Sequence, residues 1–229
     1  MAKRVFFVTG TDTDAGKTVV SAGLLQAGNN RQWKTLGLKP IAAGCEQTDA
    51  GLRNSDALIL QQTASVNMSY DQVNPVSFAE PIAPHIAALH EGRQLNADRV
   101  AAYCRGALLQ SADLVVIEGA GGWRVPLNNR ETLAALPRSL QLPVIMVVGM
   151  KLGCINHALL TAESIARDGL QLAGWVANCI DPDMASYDEN LATLKTMLRA
   201  PLLGEVPRLA QASPEIVANY LDLDMLPVQ

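Results

Sequence analysis

Residues 5–20, VFFVTGTDTDAGKTVV, constrain this chain more than any other stretch. Residues 5–8 form a short apolar run of β-branched and aromatic residues, which reads as a buried strand. Gly10 begins a turn, and Gly16-Lys17-Thr18 opens an amphipathic run that extends from Thr18 to about Gln26. Strand, glycine turn, Gly-Lys-Thr and helix together make the sequence context of a phosphate-binding P-loop. Free backbone N–H groups at a helix N-terminus point at an anion, and the helix dipole favours negative charge there. In such a loop Lys17 reaches the β/γ-phosphates and the Thr18 hydroxyl ligates Mg²⁺. The spacing departs from G-x-x-x-x-G-K-[ST] at one point: the first glycine belongs at position 11, which is Thr11, and Gly10 stands one residue early. A tight β-to-α turn with a solvated lysine is the alternative reading, and the strand and helix on either side favour the phosphate loop.

Composition narrows the class. The chain has 229 residues, room for one large α/β domain or two small ones, and no repeat or low-complexity linker divides it, so one domain over 1–229 is expected. Apolar residues make up 49% but aromatics only 4%, so Val, Ile, Leu and Ala must fill the core, as they do under a helix-covered parallel sheet. A net charge of −4 with no long basic run disfavours nucleic-acid binding. The apolar run behind the Lys3-Arg4 pair is too short for a signal peptide, and no stretch approaches the roughly 20 apolar residues of a membrane span. Cys45, Cys104, Cys154 and Cys179 are scattered, which reads as reduced thiols of a cytoplasmic enzyme rather than a disulfide frame or zinc site.

Strand and helix signals then alternate along the chain. The first helix is expected to stop at Gly28-Asn29-Asn30. Residues 35–39 read as a second strand, and Pro40 biases Lys39 away from helix. Lys39 falls at a strand's carboxyl end, where open α/β sheets bind ligands, although spacing alone favours an exposed strand-end lysine. Asn54 or Ser55 caps a helix in which Asp56 serves the dipole unless it faces the phosphate loop. Residues 74–78 suggest a short strand. The proline-pinned loop EPIAPH leads into a helix near His85, a residue that orders the loop rather than doing chemistry. Asn96 caps a helix that runs to about Gln110. Residues 113–118, DLVVIE, form a β-branched run ending in Glu118 and followed by Gly119-Ala120-Gly121-Gly122. A carboxylate at a strand end beside a P-loop is where Mg²⁺ is held, and the glycines let backbone approach a ligand. Further strands are expected at 142–149, 172–178 and 202–206, and helices up to about Arg167, at 188–198 and from Pro214. The helix start after Lys151 is a second possible anion site, and the Asn178 amide is able to read a base edge by donating and accepting together. The alternation makes the fold class α/β with a mostly parallel central sheet and helices on both faces.

Seven separated motifs are specific enough to suggest a family: GTDTDAGKT, LKP, GLRNSDA, the EPxxPH loop, VIEGAGGW, LGCINHALLT and GWVAN. In this order, over nearly the whole length, they resemble the dethiobiotin synthetases, P-loop NTPases of biotin synthesis. The resemblance implies that ATP, CO2 and 7,8-diaminononanoate give dethiobiotin, ADP and phosphate, through a carbamate and a carbamic-phosphoric anhydride closed by the second amine. It implies Lys39, Lys17 and Thr13 as catalytic residues and Thr18, Asp56 and Glu118 as Mg²⁺ ligands. It implies nucleotide contacts from Asp14, Ala15, Gly16, Lys17, Thr18, Val19 and Asp56, from Glu118, Gly119, Ala120 and Gly121, and from Asn178, Cys179, Pro207, Arg208 and Leu209. Ala43 falls at a substrate position. Gly153, Cys154, Ile155 and Asn156 match a helix start that, in the family's homodimer, holds the substrate carboxylate in the partner subunit's site.

Three positions depart from the family pattern: Asp14 stands where glutamate is expected, Ala43 where a substrate-contacting serine is expected, and Pro137 in a segment expected to be helical. A partition-type switch ATPase, the rival of a different class, carries a lysine five residues before the P-loop lysine, and that position is Asp12. A related amidoligase is normally fused to a glutaminase, for which there is no room. A binding module without catalysis leaves Lys39 and Glu118 idle.

Overall fold

A computed structural model describes residues 3–227. Residues 1, 2, 228 and 229, the two ends of the domain expected over 1–229, lie outside the described residues. In chain order the elements are β1 (Arg4–Gly10), α1 (Lys17–Asn30), β2 (Thr35–Leu38), β3 (Ile41–Ala42), β4 (Glu46–Thr48), β5 (Gly51–Arg53), α2 (Ser55–Thr63), α3 (Tyr70–Val73), β6 (Val76–Ser77), α4 (Pro84–His90) and α5 (Ala97–Ala107). There follow β7 (Leu114–Glu118), α6 (Ala135–Ser139), β8 (Val144–Met150), α7 (Cys154–Arg167), β9 (Leu172–Cys179), α8 (Tyr187–Met197), β10 (Leu202–Val206), α9 (Pro214–Ala218) and a 3₁₀ turn (Leu223–Met225).

Six strands form one sheet in the order β10-β9-β8-β1-β7-β2. All its pairings are parallel, from Arg4 opposite Leu114 to Val206 opposite Asn178. Because successive side chains alternate across a strand, β1 feeds two cores. Phe7 packs with Leu36, Ile117, Val100 and Leu136, under α5 and α6. Phe6 and Val8 pack with Val20, Leu24, Leu60 and Val217, under α1, α2 and α9. A third cluster, around Trp175, Met146 and Leu194, seats α7 and α8. Both faces are therefore covered, which is why the strands read as near-continuous apolar runs. The P-loop, the β2–β3 connection and the β7–α6 connection all leave carboxyl ends of neighbouring strands, so the topology itself gathers them at one edge.

Three local points follow from the structure. First, α1 ends at Asn30, within the expected Gly28-Asn29-Asn30 stop and past the Gln26 that bounds its amphipathic run. Gly28 is there for close packing, since a Cβ would meet Thr35 Cγ2 at 2.8 Å, and the chain breaks at Gln32, whose φ is 60°. Second, Pro137 interrupts nothing: it is the third residue of α6, in the first turn, where an N–H has no intrahelical acceptor to lose. Third, the hairpin β4–β5, β3 and α3 carry no periodic signal long enough to read from sequence, whereas β6 falls inside the short strand expected at 74–78.

Candidate active site

The residues around the phosphate loop open onto a cleft of about 1470 Å³. Thr11 N–H bonds Val147 O at 2.9 Å, and Thr11 Oγ1 accepts from Gly149 N–H at 3.3 Å, which gives the residue replacing the usual first glycine a loop-holding role. Gly10 is needed where it stands, because a Cβ would lie 2.8 Å from Asp12 O. Asp14 takes a left-handed conformation (φ 59°) and Gly16 another (φ 87°), the latter as N-cap of α1. Asp is among the few side chains that tolerate this region. Asp12, at the switch-ATPase signature position, carries the opposite charge and pairs with Lys151 at 3.4 Å.

Lys39 is not an exposed strand-end lysine. It is 4% exposed, and its Nζ donates to Glu118 Oε1 at 2.6 Å and to Asp56 Oδ2 at 2.9 Å. Its backbone is gripped on both sides: Lys39 N–H donates to Val73 O at 2.9 Å, and Asn74 Nδ2 donates to Lys39 O at 2.5 Å. Asn74 Oδ1 accepts from Tyr70 OH, which accepts from Asn54 N–H, and Asn54 Oδ1 caps α2 through Ala57 N–H. One buried polar chain thus sets both Lys39 and the helix turn that carries Asp56. Sequence reading missed Tyr70 and Asn74. Their only local signal is Asn-Pro after an aromatic residue, and their role is decided by the fold.

Thr18 Oγ1 donates to Glu118 Oε1 at 2.8 Å, so Thr18, Asp56 and Glu118 converge around the Lys39 ammonium. Glu118 is fully buried, and its Oε2 has no partner. An orphaned carboxylate oxygen inside an all-oxygen set fits a hard divalent cation, which is commonly held by one or two carboxylates plus substrate phosphates. Burial lowers the pKa of Lys17, reinforced by the Lys39 charge. Burial also works against the Lys39 charge, but Glu118 and Asp56 outweigh it and raise the pKa. The Asp56 carboxyl, though desolvated, is held below the usual range by Lys39 and Thr18.

Of the expected site residues, Thr13, Asp14, Gly16, Lys17, Thr18, Val19, Lys39, Ala43, Asp56, Ala120, Gly121, Asn178 and Arg208 line the cleft. Glu118 and Ala15 sit directly behind it, buried. At the expected base end, Ile180 joins Asn178 and Arg208, whereas Cys179, Pro207 and Leu209 do not line the cleft. Asn178 Nδ2 is committed to Ala15 O at 2.9 Å, and a Cβ on Gly16 would come within 2.0 Å of it. The amide expected to read a base therefore also braces the phosphate loop. Gly153, Cys154, Ile155 and Asn156 form the start of α7, with Gly153 at φ 93°, and do not line this cleft. His85 is not among the lining residues, while Pro81, Ile82, Ala83 and Pro84 of its loop are, and its buried Nδ1 makes no hydrogen bond that would order that loop.

Among the described residues no helix is long and apolar enough to cross a membrane, and all four cysteines are free thiols. The family model described as an AAA domain matches residues 4–216. The solved structure of the septum site-determining protein MinD with Mg-ADP from Pyrococcus horikoshii is similar in fold, with a TM-score of 0.58 at 14% identity, covering 94% of this chain and 86% of that one. The signal recognition particle receptor FtsY from Elizabethkingia anophelis gives a TM-score of 0.53 at 16% identity, over 94% of this chain and 64% of that one. The ATP-dependent dethiobiotin synthetase BioD of Cellvibrio japonicus is 59% identical over 99% of both chains. That of Pseudomonas aeruginosa strain UCBPP-PA14 is 56% identical over 95% of this chain and 96% of its own. With this identity along its whole length and a P-loop α/β fold, the chain belongs to the ATP-dependent dethiobiotin synthetase family.

Proposed function

We propose that the protein carries out the ATP-dependent carboxylation and ring closure of 7,8-diaminononanoate with CO2, giving dethiobiotin, ADP and phosphate. The observation that carries this reading is the placement of two buried lysines, Lys17 and Lys39, with Thr18 and Asp56 in the lining of one cleft and the buried Glu118 paired to Lys39. Phosphoryl transfer asks little covalent chemistry of a protein. It asks for alignment and for stabilisation of spreading negative charge, which fixed cations supply. Lys17 and the N–H groups at the start of α1 hold the β/γ-phosphates. Lys39 steadies charge on the substrate carbamate and the group in transfer, with Thr13 near the γ-phosphate and Ala43 beside the diamine. Thr18, Asp56 and Glu118 would hold Mg²⁺, which would neutralise phosphate charge. Asp14 and the turn at 119–121 line the nucleotide, and Asn178 with Arg208 flank its base. The free thiols suit a cytoplasmic setting.

The test is ATP turnover with and without diamine and bicarbonate, together with identification of the organic product. Phosphate release that needs both substrates and yields a cyclic urea supports the reading. Robust turnover without them, and no ureido product, overturns it.

The same reading includes a homodimer. The N-terminus of α7, with Gly153 to Asn156, lies off the cleft that holds the phosphate loop and suits a carboxylate in a partner's site. Mixing a Lys39→Ala subunit with an Ile155→Pro subunit restores one intact site per mixed dimer if sites are shared. Proven heterodimers without recovered activity rule sharing out.

A further inference from the structure

Asp168 is the C-cap residue of α7. A carboxylate at a helix C-terminus is opposed by the helix dipole, so helix stability does not account for it. Its side chain is nonetheless only 9% exposed, and its Oδ2 accepts a hydrogen bond from Trp123 Nε1–H at 2.8 Å and forms an ion pair with the Arg124 guanidinium, Nη1 lying 2.8 Å away. Arg124 also donates through Nε to Ser164 Oγ at 2.8 Å and through Nη2 to Ser164 O at 3.4 Å, so its guanidinium docks on the last turn of the same helix. The Trp123 ring is buried and meets Phe7 of β1 edge-on, with centroids 6.1 Å apart.

What this holds is the turn at residues 119–122. Three of its four residues are glycine, the type with most conformational freedom to lose. The turn is tied at one end by Glu118, through Lys39 and Thr18, and at the other by Trp123 and Arg124. Between these ties it lies against the phosphate loop: a Cβ on Gly121 would be 3.6 Å from Thr13 Oγ1, and one on Gly122 would be 3.6 Å from Gly10 O. Apart from the Gly119 N–H bond to Val8 O at its start, the tie at Trp123 and Arg124 is what holds the far end of the turn.

We propose that Asp168 is a positioning residue for phosphoryl transfer: by holding Trp123 and Arg124 it sets the glycine turn, and with it Glu118, against the phosphate loop. The inference rests on the functional reading above for its kinetic consequence, but its structural consequence is independent of that reading.

The experiment compares Asp168→Ala, Asp168→Asn and Trp123→Phe in the full chain. Asp168→Ala lowers kcat about tenfold, as misplacement of a supporting group does, and leaves ADP affinity within about twofold. Asn keeps an acceptor for Trp123 Nε1–H but loses the ion pair with Arg124, so Asp168→Asn recovers part of the rate. Trp123→Phe keeps an aromatic ring on Phe7 and the Arg124 ion pair but loses the hydrogen bond, so its rate lies between those of Asp168→Ala and the wild type. Gly119 N–H, bonded to Val8 O, and Leu133 N–H, bonded to Val125 O, bracket the turn. In Asp168→Ala their hydrogen exchange quickens about tenfold while Val147 in β8 keeps its protection, as local opening requires. Wild-type kcat in Asp168→Ala, a slowed rate with unaltered exchange at Gly119 and Leu133, or equal loss of protection at Val147 overturns the proposal. A wild-type protein that makes no ureido product overturns the functional reading instead, and the exchange comparison then judges the clamp by itself.

Discussion

Lys39 Nζ lies 2.6 Å from Glu118 Oε1 in a place where the carboxylate is fully buried and the lysine nearly so. The ammonium stands among Thr18, Asp56 and Glu118, so without a metal it is the cation that keeps two carboxylates close together. Removing one partner of a buried pair leaves an uncompensated charge, which typically costs about 3–5 kcal/mol. Lys39→Met is therefore expected to lower the thermal midpoint of the nucleotide-free protein. Mg²⁺ alone should raise that midpoint in the variant and leave the wild type nearly unchanged. Equal Mg²⁺ responses in the two proteins would count against this account. In kinetics the same variant loses about 10²–10³ in rate, the usual worth of one preorganised charge contact, with far less change in ATP affinity.

The pH dependence of the same cluster has a definite sign. The folded pKa of Asp56 is depressed, so its contribution to stability is present above the unfolded value, about 3.9, and is lost as pH falls through the folded one. The folded pKa of Lys39 is raised, so its contribution is fully present below about 10.4 and is lost as pH climbs through the folded value. In Lys39→Met, protonation of Asp56 relieves its repulsion with the neighbouring carboxylate instead. The gap in thermal midpoint between variant and wild type should narrow on going from neutral pH towards about 4. A gap that widens contradicts the assignment.

Asn178 donates to Ala15 O inside the phosphate loop. Asn178→Ala leaves that carbonyl without its partner, at a cost of about 1–3 kcal/mol. The variant should bind inorganic triphosphate more weakly as well as ATP. Triphosphate binding unchanged by calorimetry, with ATP binding weakened, would assign Asn178 to the base alone.

Ala43 lines the cleft where the family pattern has a serine. Ala43→Ser is expected to leave ATP affinity unchanged and to tighten the diamine by about 0.5–1.5 kcal/mol, the net worth of one neutral hydrogen bond. Diamine binding that is unchanged or weaker means the loop has adapted to alanine.

Burial pushes the Cys104 thiol on α5 up to about 12. At pH 8 it should resist alkylation in the native protein and react only on unfolding, as mass spectrometry of labelled peptides would show. Rapid native labelling at Cys104 would contradict its burial.

The sequence by itself determined the sheet and the phosphate loop. Val5 to Val20 states strand, turn and helix within one short window, and DLVVIE and the run at 142–149 state two more strands, because apolar period and glycine placement are local properties. The separated motifs named the family and with it many of the residues that line the cleft. The tertiary structure decided the electrostatic state of that site. Lys39 read as an exposed lysine because nothing near it in sequence neutralises it; Glu118, 79 residues away, does so. The helix at Pro137 and the stop of α1 turned on backbone geometry, an N–H that needed no partner and a left-handed Gln32, which composition does not encode. Tyr70, Asn74 and Asp168 carry no motif at all. Their hydrogen bonds join segments far apart in the chain, and only a closed core brings the donor to the acceptor and keeps water from competing for it.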